Sequence, residues 1–335
     1  MRVEVIVICI KNRDVSLTLA GLIAAQARLP EHHPVVPVLS ARQAAIEAGI
    51  GGEERLAEVL VKSPFPFENH IFHDLSLSSD TQFDTHCLTP WFGLIFEVKN
   101  ISGVLDFKEN PPQLISTKED GQICGYENPA AQLQRNCEFL KEWLWRREFT
   151  LPVYGAVVLA YPKQIVRTPP SRTKILFPTL VPSFLKSLPR QEPLLSQDTF
   201  NWLSSDLLAN HHRFIPQPVS DVYNLSYREF QSGVRCTACG RVGMVKKPRS
   251  WACRFCDTRD PLAHEQALLE WFLLVKRTIT NRECREFLGV DIKTASRILK
   301  GMNFNTQGTY RDRVYLMNFS EERVRFILKR EKPIT

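Results

Sequence analysis

Two acidic residues and a lysine, Asp84, Glu97 and Lys99, lie in a stretch that is otherwise rich in β-branched and aromatic residues. A Thr-Pro-Trp-Phe-Gly break divides the stretch, which predicts a hairpin with strands at 82–88 and 93–100. With the turn centred in that break, antiparallel pairing sets Asp84 opposite Glu97. Lys99 shares the face of Glu97, because residues two apart on a strand point the same way. The pattern predicts two carboxylates and an ammonium on one patch of a sheet.

Charged groups on an apolar sheet are costly to bury unless they are paired or hold a metal. Asp84, Glu97 and the backbone carbonyl of Val98 are oxygen ligands of the kind that Mg²⁺ or Mn²⁺ takes. Lys99 beside a metal-bound water can orient it and offset phosphate charge. The alternative is a salt bridge of Lys99 with either acid. The other hairpin side chains are expected to face away, into a core: Phe83, Leu94, Phe96 and Val98.

The elements around the hairpin alternate between helical and strand patterns, which predicts an α/β core. The apolar run 154–161 is typical of a central strand covered on both faces. The expected elements are, in chain order, a strand at 3–10, a helix capped by Asp14 that ends before Pro30, a helix at 41–61 interrupted at 49–52, a strand at 70–76, the hairpin, a β-ribbon at 101–117, a helix from Asn128 to Arg147 and the strand at 154–161.

The hairpin resembles the PD-(D/E)XK nuclease signature of an Asp, a hairpin and Glu-x-Lys, and more closely the nuclease-related domain, NERD. Gly51-Gly-Glu53 upstream resembles that family's Gly-Glu helix start, and Asn128-Pro-Ala-Ala-Gln132 resembles its Asn-Pro-x-x-Gln helix start. The resemblance spans about residues 48–165 and implies a restriction-endonuclease-like core, a mixed sheet flanked by helices. Phe83 stands where the family usually has Pro, a departure that removes no ligand.

The resemblance also implies roles for residues outside the hairpin. Together with Asp84, Glu97 and Lys99, it places Glu53 at the rim of the site and Gln132 against the metal-bound water or the phosphate. The alternative for Glu53 is an acid favoured by a helix N-terminus, and for Gln132 an ordinary surface glutamine. The implied activity is Mg²⁺- or Mn²⁺-dependent hydrolysis of DNA.

Four cysteines form two Cys-x₂-Cys pairs separated by thirteen residues, Cys236 with Cys239 and Cys253 with Cys256. Four thiolates from two such turns suit a structural, tetrahedral Zn²⁺, which would supply much of the folding energy of so small a segment. A redox dithiol pair is the rival. Basic residues between the pairs either contact phosphates or keep the ribbon hydrated: Lys246, Lys247 and Arg249.

The end of the chain resembles a winged helix-turn-helix. A helix at 264–275, a second opened by a Thr280–Glu283 capping box, a third at 292–300 and a β-wing at 308–316 are expected. In this interpretation Lys293, Thr294 and Arg297 point toward a groove, while Arg311 and Arg313 reach phosphates. The alternative is a small helical domain that binds protein. The whole arrangement resembles a bacterial NERD subgroup with a C-terminal zinc ribbon and helical tail.

Charge is distributed unevenly over the 335 residues, whose net charge is +7. Residues 232–260 carry seven basic and two acidic residues, and 261–335 carry fourteen and nine, which favours an anionic partner such as DNA, with RNA as a further candidate. The cysteine pattern and the lack of a long apolar run predict a reducing cytoplasm and no membrane span; oligomeric state is left open. The expected domains are an N-terminal segment (1–47), the NERD domain (48–165), an extension (166–231), the zinc ribbon (232–260) and the winged-helix-like tail (261–335).

Three functions fit these patterns. The first is a metal-dependent DNA nuclease acting in DNA processing or repair. The second is a nucleic-acid-binding protein whose nuclease-like core no longer cuts. The third is a module whose tail recruits a protein partner.

Overall fold

The computed structural model describes residues 7–62, 65, 67–79, 81–309 and 312–328. Its helices in these ranges are α1 (Leu17–Arg28), α2 (Val36–Lys62), α3 (Pro129–Trp145), α4 (Val181–Ser187), α5 (Gln197–Ala209), α6 (Val219–Tyr223), α7 (Ala263–Leu274), α8 (Asn281–Leu288), α9 (Ile292–Gly301) and α10 (Glu321–Leu328). The strands are β1 (Ile8–Lys11), β2 (His70–Ser78), β3 (Thr81–Leu88), β4 (Gly93–Lys99), β5 (Val104–Glu109), β6 (Pro112–Thr117), β7 (Ile123–Glu127), β8 (Val153–Leu159), β9 (Ile165–Thr168), β10 (Lys174–Leu176), β11 (Val234–Arg235), β12 (Val242–Lys247), β13 (Ser250–Ala252), β14 (Arg259–Asp260), β15 (Thr278–Thr280), β16 (Asn305–Gln307) and β17 (Val314–Leu316).

The chain forms two compact units. Unit 1 comprises the described residues up to Asp14 together with Glu47–Phe214, and unit 2 comprises Val15–Ile46 and the described residues from Ile215 onward. The first 47 residues, which the sequence presents as one segment, therefore contribute to both units.

A six-stranded mixed sheet in the order β1-β2-β3-β4-β8-β10 is the centre of unit 1. The hairpin β3–β4 and the β2–β3 pair are antiparallel, whereas β1 with β2, β4 with β8 and β8 with β10 are parallel. The predicted α/β fold with a mixed sheet is confirmed.

Both faces of this sheet are covered, which explains the continuous apolar sequence of β8. Val157 packs on one face with buried residues of α3 and α5. Its neighbours Ala156 and Val158 pack on the other face with Leu56 of α2 and with α4. The hairpin therefore lies within a helix–sheet–helix sandwich, where a charged side chain is removed from bulk water.

A second sheet in unit 1 has the order β7-β6-β5-β9. Its β5–β6 pair is antiparallel and confirms the ribbon predicted after the hairpin. β7 and β9 extend the ribbon on its two sides.

Two predicted helix starts were wrong. Ser16, not Asp14, caps α1, since its hydroxyl accepts the N–H of Leu19 at 3.2 Å. The Asp14 carboxylate instead contacts Lys11 and His211. Helix α2 is continuous from Val36 to Lys62, so the glycines at 49–52 do not interrupt it.

Unit 2 contains an antiparallel ribbon, β11-β12-β13-β14, and a three-stranded antiparallel sheet, β15-β17-β16. Trp251 of the ribbon and Phe272 of α7 belong to one buried cluster, which also takes in Leu17 of α1. The zinc-ribbon segment and the helical tail, treated as successive segments in the sequence, share this core.

Candidate functional site

The β3–β4 hairpin sets the two predicted carboxylates side by side. Its pairs run from Leu88 with Gly93 to Thr85 with Phe96, and the same register places Asp84 opposite Glu97, as predicted. The carboxylate of Asp84 accepts the backbone N–H of Val98 at 2.8 Å. This bond fixes Asp84 across the strand pair beside Glu97.

Lys99 contacts Glu97 directly. Its ammonium donates to Glu97 Oε1 at 2.6 Å. Of the two salt bridges considered from the sequence, the one with Glu97 is therefore present, and both of its residues lie on β4. Burial alone would lower the pKa of Lys99, but attraction to Glu97 and Asp84 raises it above its usual value. Lys99 therefore stays charged and acts as a hydrogen-bond donor.

The neighbouring strand β2 adds a third acid that the sequence reasoning missed. Pairing with β3 includes His73 with Thr85 and Leu75 with Phe83, and Asp74 between them has φ of 51°. A non-glycine residue rarely adopts this conformation, and here it breaks the regular alternation of side chains.

Phe83 packs on a different face of the sheet from the one predicted. Phe83 is buried, as predicted, but it packs with Leu75 on the face opposite to Leu94, Phe96 and Val98. The expectation that these four side chains share one face was wrong, since Phe83 belongs to one buried cluster and the other three belong to another. Asp74 is the one acid in β2, which is the sequence signal that marks its position.

Helix α2 brings Glu53 to the sheet through a close approach at Gly52. A Cβ at Gly52 would lie 3.1 Å from Ala160 Cβ and 3.2 Å from Asn100 Cβ, so a larger residue would require these neighbours to shift. Glu53 lies inside the helix and not near its start, and the helix-dipole explanation for its acid was wrong.

Arg13, which follows β1, joins Glu53 to Asp74. Its guanidinium forms an ion pair with Glu53 and another with Asp74 at 2.9 Å, while the second Asp74 oxygen accepts the N–H of Asp14 at 3.1 Å. Sequence reasoning missed Arg13, because nothing local indicates that β1 pairs beside β2.

The pKa values of the acids show that their ionised forms are costly in this cluster. Burial raises the pKa of Glu97 to about 8, with Asp84 adding to the shift and Lys99 opposing it. Burial likewise raises the pKa of Glu53 to about 8, with Asp84 adding and Arg13 opposing. The pKa values of Asp84 and Asp74 are also raised, mainly by burial. Ionised carboxylates here lack sufficient compensation from Arg13 and Lys99.

Helix α3 contacts the cluster through Asn136. Its amide donates to the Gln82 carbonyl at 3.2 Å and lies 3.5 Å from Glu97 Oε2. Gln132 is one turn earlier, on the same helix face, and half-buried. The bond from α3 to Glu97 thus comes from Asn136, a polar residue within the apolar stripe of the predicted helix.

Residues 48–160 match the family model described as a nuclease-related domain, NERD. This segment is a nuclease-related domain. The match covers the hairpin, α3 and β8, and it includes Glu53, Asp84, Glu97, Lys99 and Gln132. Arg13 lies outside the nuclease-related domain, although it contacts two acids inside it. No curated protein and no solved structure matches the chain.

Outside the nuclease-related domain, the four paired cysteines converge as predicted. The Sγ atoms of Cys236, Cys239, Cys253 and Cys256 all lie within 4.8 Å of one another. Within the described ranges this is the one group of three or more Cys, His, Asp or Glu ligands close enough to share an ion. The thiols thus form a four-ligand metal site of tetrahedral donor type.

The basic residues of the ribbon and of α9 form part of unit 2. Lys246 lies 5.5 Å above the Trp251 ring, and its pKa is lowered by burial and by the nearby Arg297. Lys247 and Arg249 are exposed. The ribbon and α9 therefore bring like charges together, an arrangement that favours an anion.

The exposed face of α9 carries Lys293 and Arg297, while Ala295, Ile298 and Leu299 are buried, as predicted. The Thr294 hydroxyl donates to the capping Asp291 at 2.6 Å, so it stabilises the helix start. Arg313 is half-buried, and Arg311 lies outside the described residues.

None of the helices in the described part of the chain combines the length and apolar character that crossing a bilayer requires.

Proposed function

We propose that this protein is a metal-dependent nuclease that hydrolyses phosphodiester bonds in DNA. The observation that carries the proposal is the cluster of one buried and three half-buried acids around the hairpin of a nuclease-related domain, beside a charged lysine. Burial of so many acids is costly for a merely structural cluster. Such a cluster is expected where a divalent cation, bound alone or together with the substrate, compensates the carboxylates.

The donor set fits a divalent cation. Two cations, Arg13 and Lys99, lie among four carboxyl groups, Glu53, Asp74, Asp84 and Glu97. The next cation, Lys11, is paired with Asp14. When all four carboxyls ionise, an ion of charge +2 compensates the two negative charges that Arg13 and Lys99 leave, and carboxylate oxygens suit Mg²⁺ or Mn²⁺. Asp84, Glu97 and the Val98 carbonyl are the proposed ligands.

When bound, the metal polarises the scissile phosphate and lowers the pKa of a water. The residues of the chain orient this chemistry. The Val98 N–H holds Asp84, and Asn136 holds Glu97. Lys99 remains protonated and donates hydrogen bonds to the attacking water or to a phosphate oxygen, where charge develops. Glu53 and Gln132 complete the rim of the site.

Unit 2 is proposed to hold the nucleic acid. The order α7, β15, α8, α9, β16, β17 is that expected of a winged helix-turn-helix, with α9 as the helix that enters a groove. Lys293, Thr294, Arg297, Arg311 and Arg313 are its proposed contacts, with Lys246, Lys247 and Arg249 from the ribbon. Zn²⁺ on the four cysteines is proposed to hold the ribbon together. DNA is the proposed partner, and RNA is the second candidate.

The nine cysteines carry no disulfide, which supports a reducing compartment such as the cytoplasm. The functional division proposed for the chain is residues 48–165 for chemistry and 232–335 for binding, with the remainder connecting or supporting them.

A second candidate function is a nucleic-acid-binding protein that does not cut. The observation that favours it is the Arg13–Glu53 ion pair, which compensates part of the acidic cluster without a metal. In that case the cluster would be a folding element, and binding would not depend on Mg²⁺ or Mn²⁺.

The decisive experiment incubates the purified full chain with labelled single-stranded DNA, double-stranded DNA and RNA, with and without Mg²⁺ or Mn²⁺. Wild-type protein should cut DNA only with the ion. Lys99→Ala should lower the cleavage rate by roughly 100-fold or more while binding is retained. Lys62→Ala, at an exposed lysine of α2, is the matched control and should cut normally. Binding without ion-dependent cleavage in the wild type would favour the second candidate.

A further inference from the structure

The exposed ring of Phe255 stands out in the zinc ribbon. Phe255 lies between the second pair of cysteines and is 53% exposed. The aromatic residue that the ribbon core needs is Trp251, which is fully buried and donates to His264 at 3.1 Å. Phe255 therefore contributes an apolar surface that folding of the ribbon does not require.

The backbone around Phe255 is held rigidly. Its N–H donates to the Cys253 sulfur at 3.4 Å, within the turn that the four-thiol site organises. The ring edge also lies over Gly243 of β12, where an added Cβ would be 3.7 Å from Phe255 Cε2. A ring on so fixed a turn loses little conformational entropy when another group stacks on it.

The surroundings of the ring are basic. The Arg241 guanidinium lies 5.1 Å from the ring centroid, and Arg241, Arg254 and Arg259 are all exposed. Of the two acids in the ribbon, Asp260 is buried and Asp257 is exposed. An aromatic face framed by arginines suits a flat ring attached to an anionic backbone.

From this arrangement we propose that Phe255 and Arg241 form a stacking platform for an unpaired base of single-stranded nucleic acid. Bases within a duplex are already stacked on their neighbours, so a platform of this kind selects single strands or frayed ends. The proposal rests on the nucleic-acid-binding role proposed above and adds the class of substrate. It assigns a binding role to two residues that the charge pattern alone did not single out.

The test measures fluorescence anisotropy of a labelled 20-nucleotide oligothymidine, roughly one or two site sizes of a single-strand-binding groove, with the full zinc-loaded chain. No Mg²⁺, Mn²⁺ or chelator is added, and a relaxed closed circular duplex serves as the second ligand. Phe255→Ala and Phe255→Leu should weaken binding of the single strand about 5- to 100-fold, the usual range for one lost stacking contact. Phe255→Trp should retain it. Affinity for the circular duplex should not change.

The salt dependence separates stacking from charge. Phe255→Ala should leave the slope of log affinity against log salt unchanged, because no phosphate contact is lost. The comparator, Lys293→Ala with Arg297→Ala, should lower that slope by about two units. Phe326→Ala, at a phenylalanine of equal exposure (54%) in unit 2, is the matched control. Zinc content of each variant confirms that the ribbon is intact.

The platform is overturned if the wild type does not bind the single strand, if Phe255→Ala binds it as the wild type does, or if both ligands weaken alike. The nuclease proposal is judged separately, since Phe255-dependent binding without ion-dependent cleavage supports the platform and contradicts the nuclease. Ion-dependent cleavage by the wild type, together with normal single-strand binding in Phe255→Ala, supports the nuclease and contradicts the platform.

Discussion

Asp84 is held in the candidate site by one hydrogen bond, and its ionised form is costly there. Its carboxylate is held by one backbone N–H, and its pKa is raised by burial despite the nearby Lys99 and Arg13. The ionised form is therefore costly in the absence of a metal. This cost is consistent with the metal-ligand role proposed for Asp84.

The Asp84→Asn substitution should remove divalent-ion binding and reduce cleavage by roughly 100-fold or more, yet preserve the fold. An amide oxygen can still accept the Val98 N–H, and removal of a half-buried charge should leave metal-free stability equal or higher. Titration calorimetry with MnCl₂ and thermal unfolding measure the two effects.

Asp198→Asn, at an exposed acid in the first turn of α5, is the matched control and should bind Mn²⁺ normally. If Asp84→Asn unfolds the protein and the wild type has no Mn²⁺ site, the acids are a structural salt-bridge cluster.

Among the elements of unit 2, α1, α7 and β11 are joined by a buried ion triad. Glu270 of α7 contacts Arg28 of α1 at 2.5 Å and Arg235 of β11 at 2.7 Å, and all three residues are buried. Burial alone would raise the pKa of Glu270, but the two arginines outweigh it and lower the pKa. The triad specifies how these elements meet, since any one unpaired charge would be costly.

This shift predicts a pH dependence of stability. A carboxyl with a lowered folded pKa stabilises the fold above its unfolded pKa of about 4.3, and the stabilisation is lost as pH falls through the folded pKa. Glu270→Gln should be less stable at pH 7, by about 3–5 kcal/mol, and the difference from wild type should shrink below pH 4.3. Urea unfolding between pH 3 and 7 measures it.

Acid would release the proposed zinc from both proteins alike, so only their difference reports on Glu270. Glu286→Gln, at an exposed glutamate of α8, is the matched control, and its stability should follow that of the wild type at every pH. Gln266→Glu is not suitable as a control, because it adds a charge beside the triad. A constant difference between Glu270→Gln and wild type at every pH would contradict the assigned shift.

At the scale of the whole molecule, the two units have separate cores and different reasons to be stable. The core of unit 1 is built on the two faces of a sheet. In unit 2, Cys236 and Cys253 belong to the same buried cluster as α7 and α9 residues. Metal binding at the thiols should therefore stabilise more than the ribbon.

Cys236→Ser should release zinc and expose the backbone of α7 as well as the ribbon, because they share a core, while unit 1 stays folded. Metal analysis should find about one zinc per wild-type chain and almost none in the variant. Hydrogen exchange should show lost protection in α7 and retained protection in β8.

Cys9→Ser, at an exposed cysteine of β1, should keep its zinc and its protection pattern. Wild-type protein prepared without chelators and found to lack zinc would refute the metal assignment. Unchanged protection of α7 in Cys236→Ser would show that the shared core is stable without the ion.

Features of short range were predictable from the sequence. The register of β3–β4 follows from a break of fixed length between two strand-forming runs, and the thiol cluster follows from two turns of fixed spacing. The capping box that opens α8 is equally local. Each depends on residues that are close along the chain, so spacing and residue type suffice.

Tertiary structure decided what distant segments bring together. Arg13 reaches Glu53 and Asp74 only because β1 pairs beside β2. Helix α2 runs through its glycines because packing against the sheet at Gly52 outweighs their low helix propensity. The sequence thus determined the ligand types and the hairpin that presents them. The long-range contacts decided how far the acids of the site are compensated by cations, because burial and neighbouring charges are properties of the folded chain.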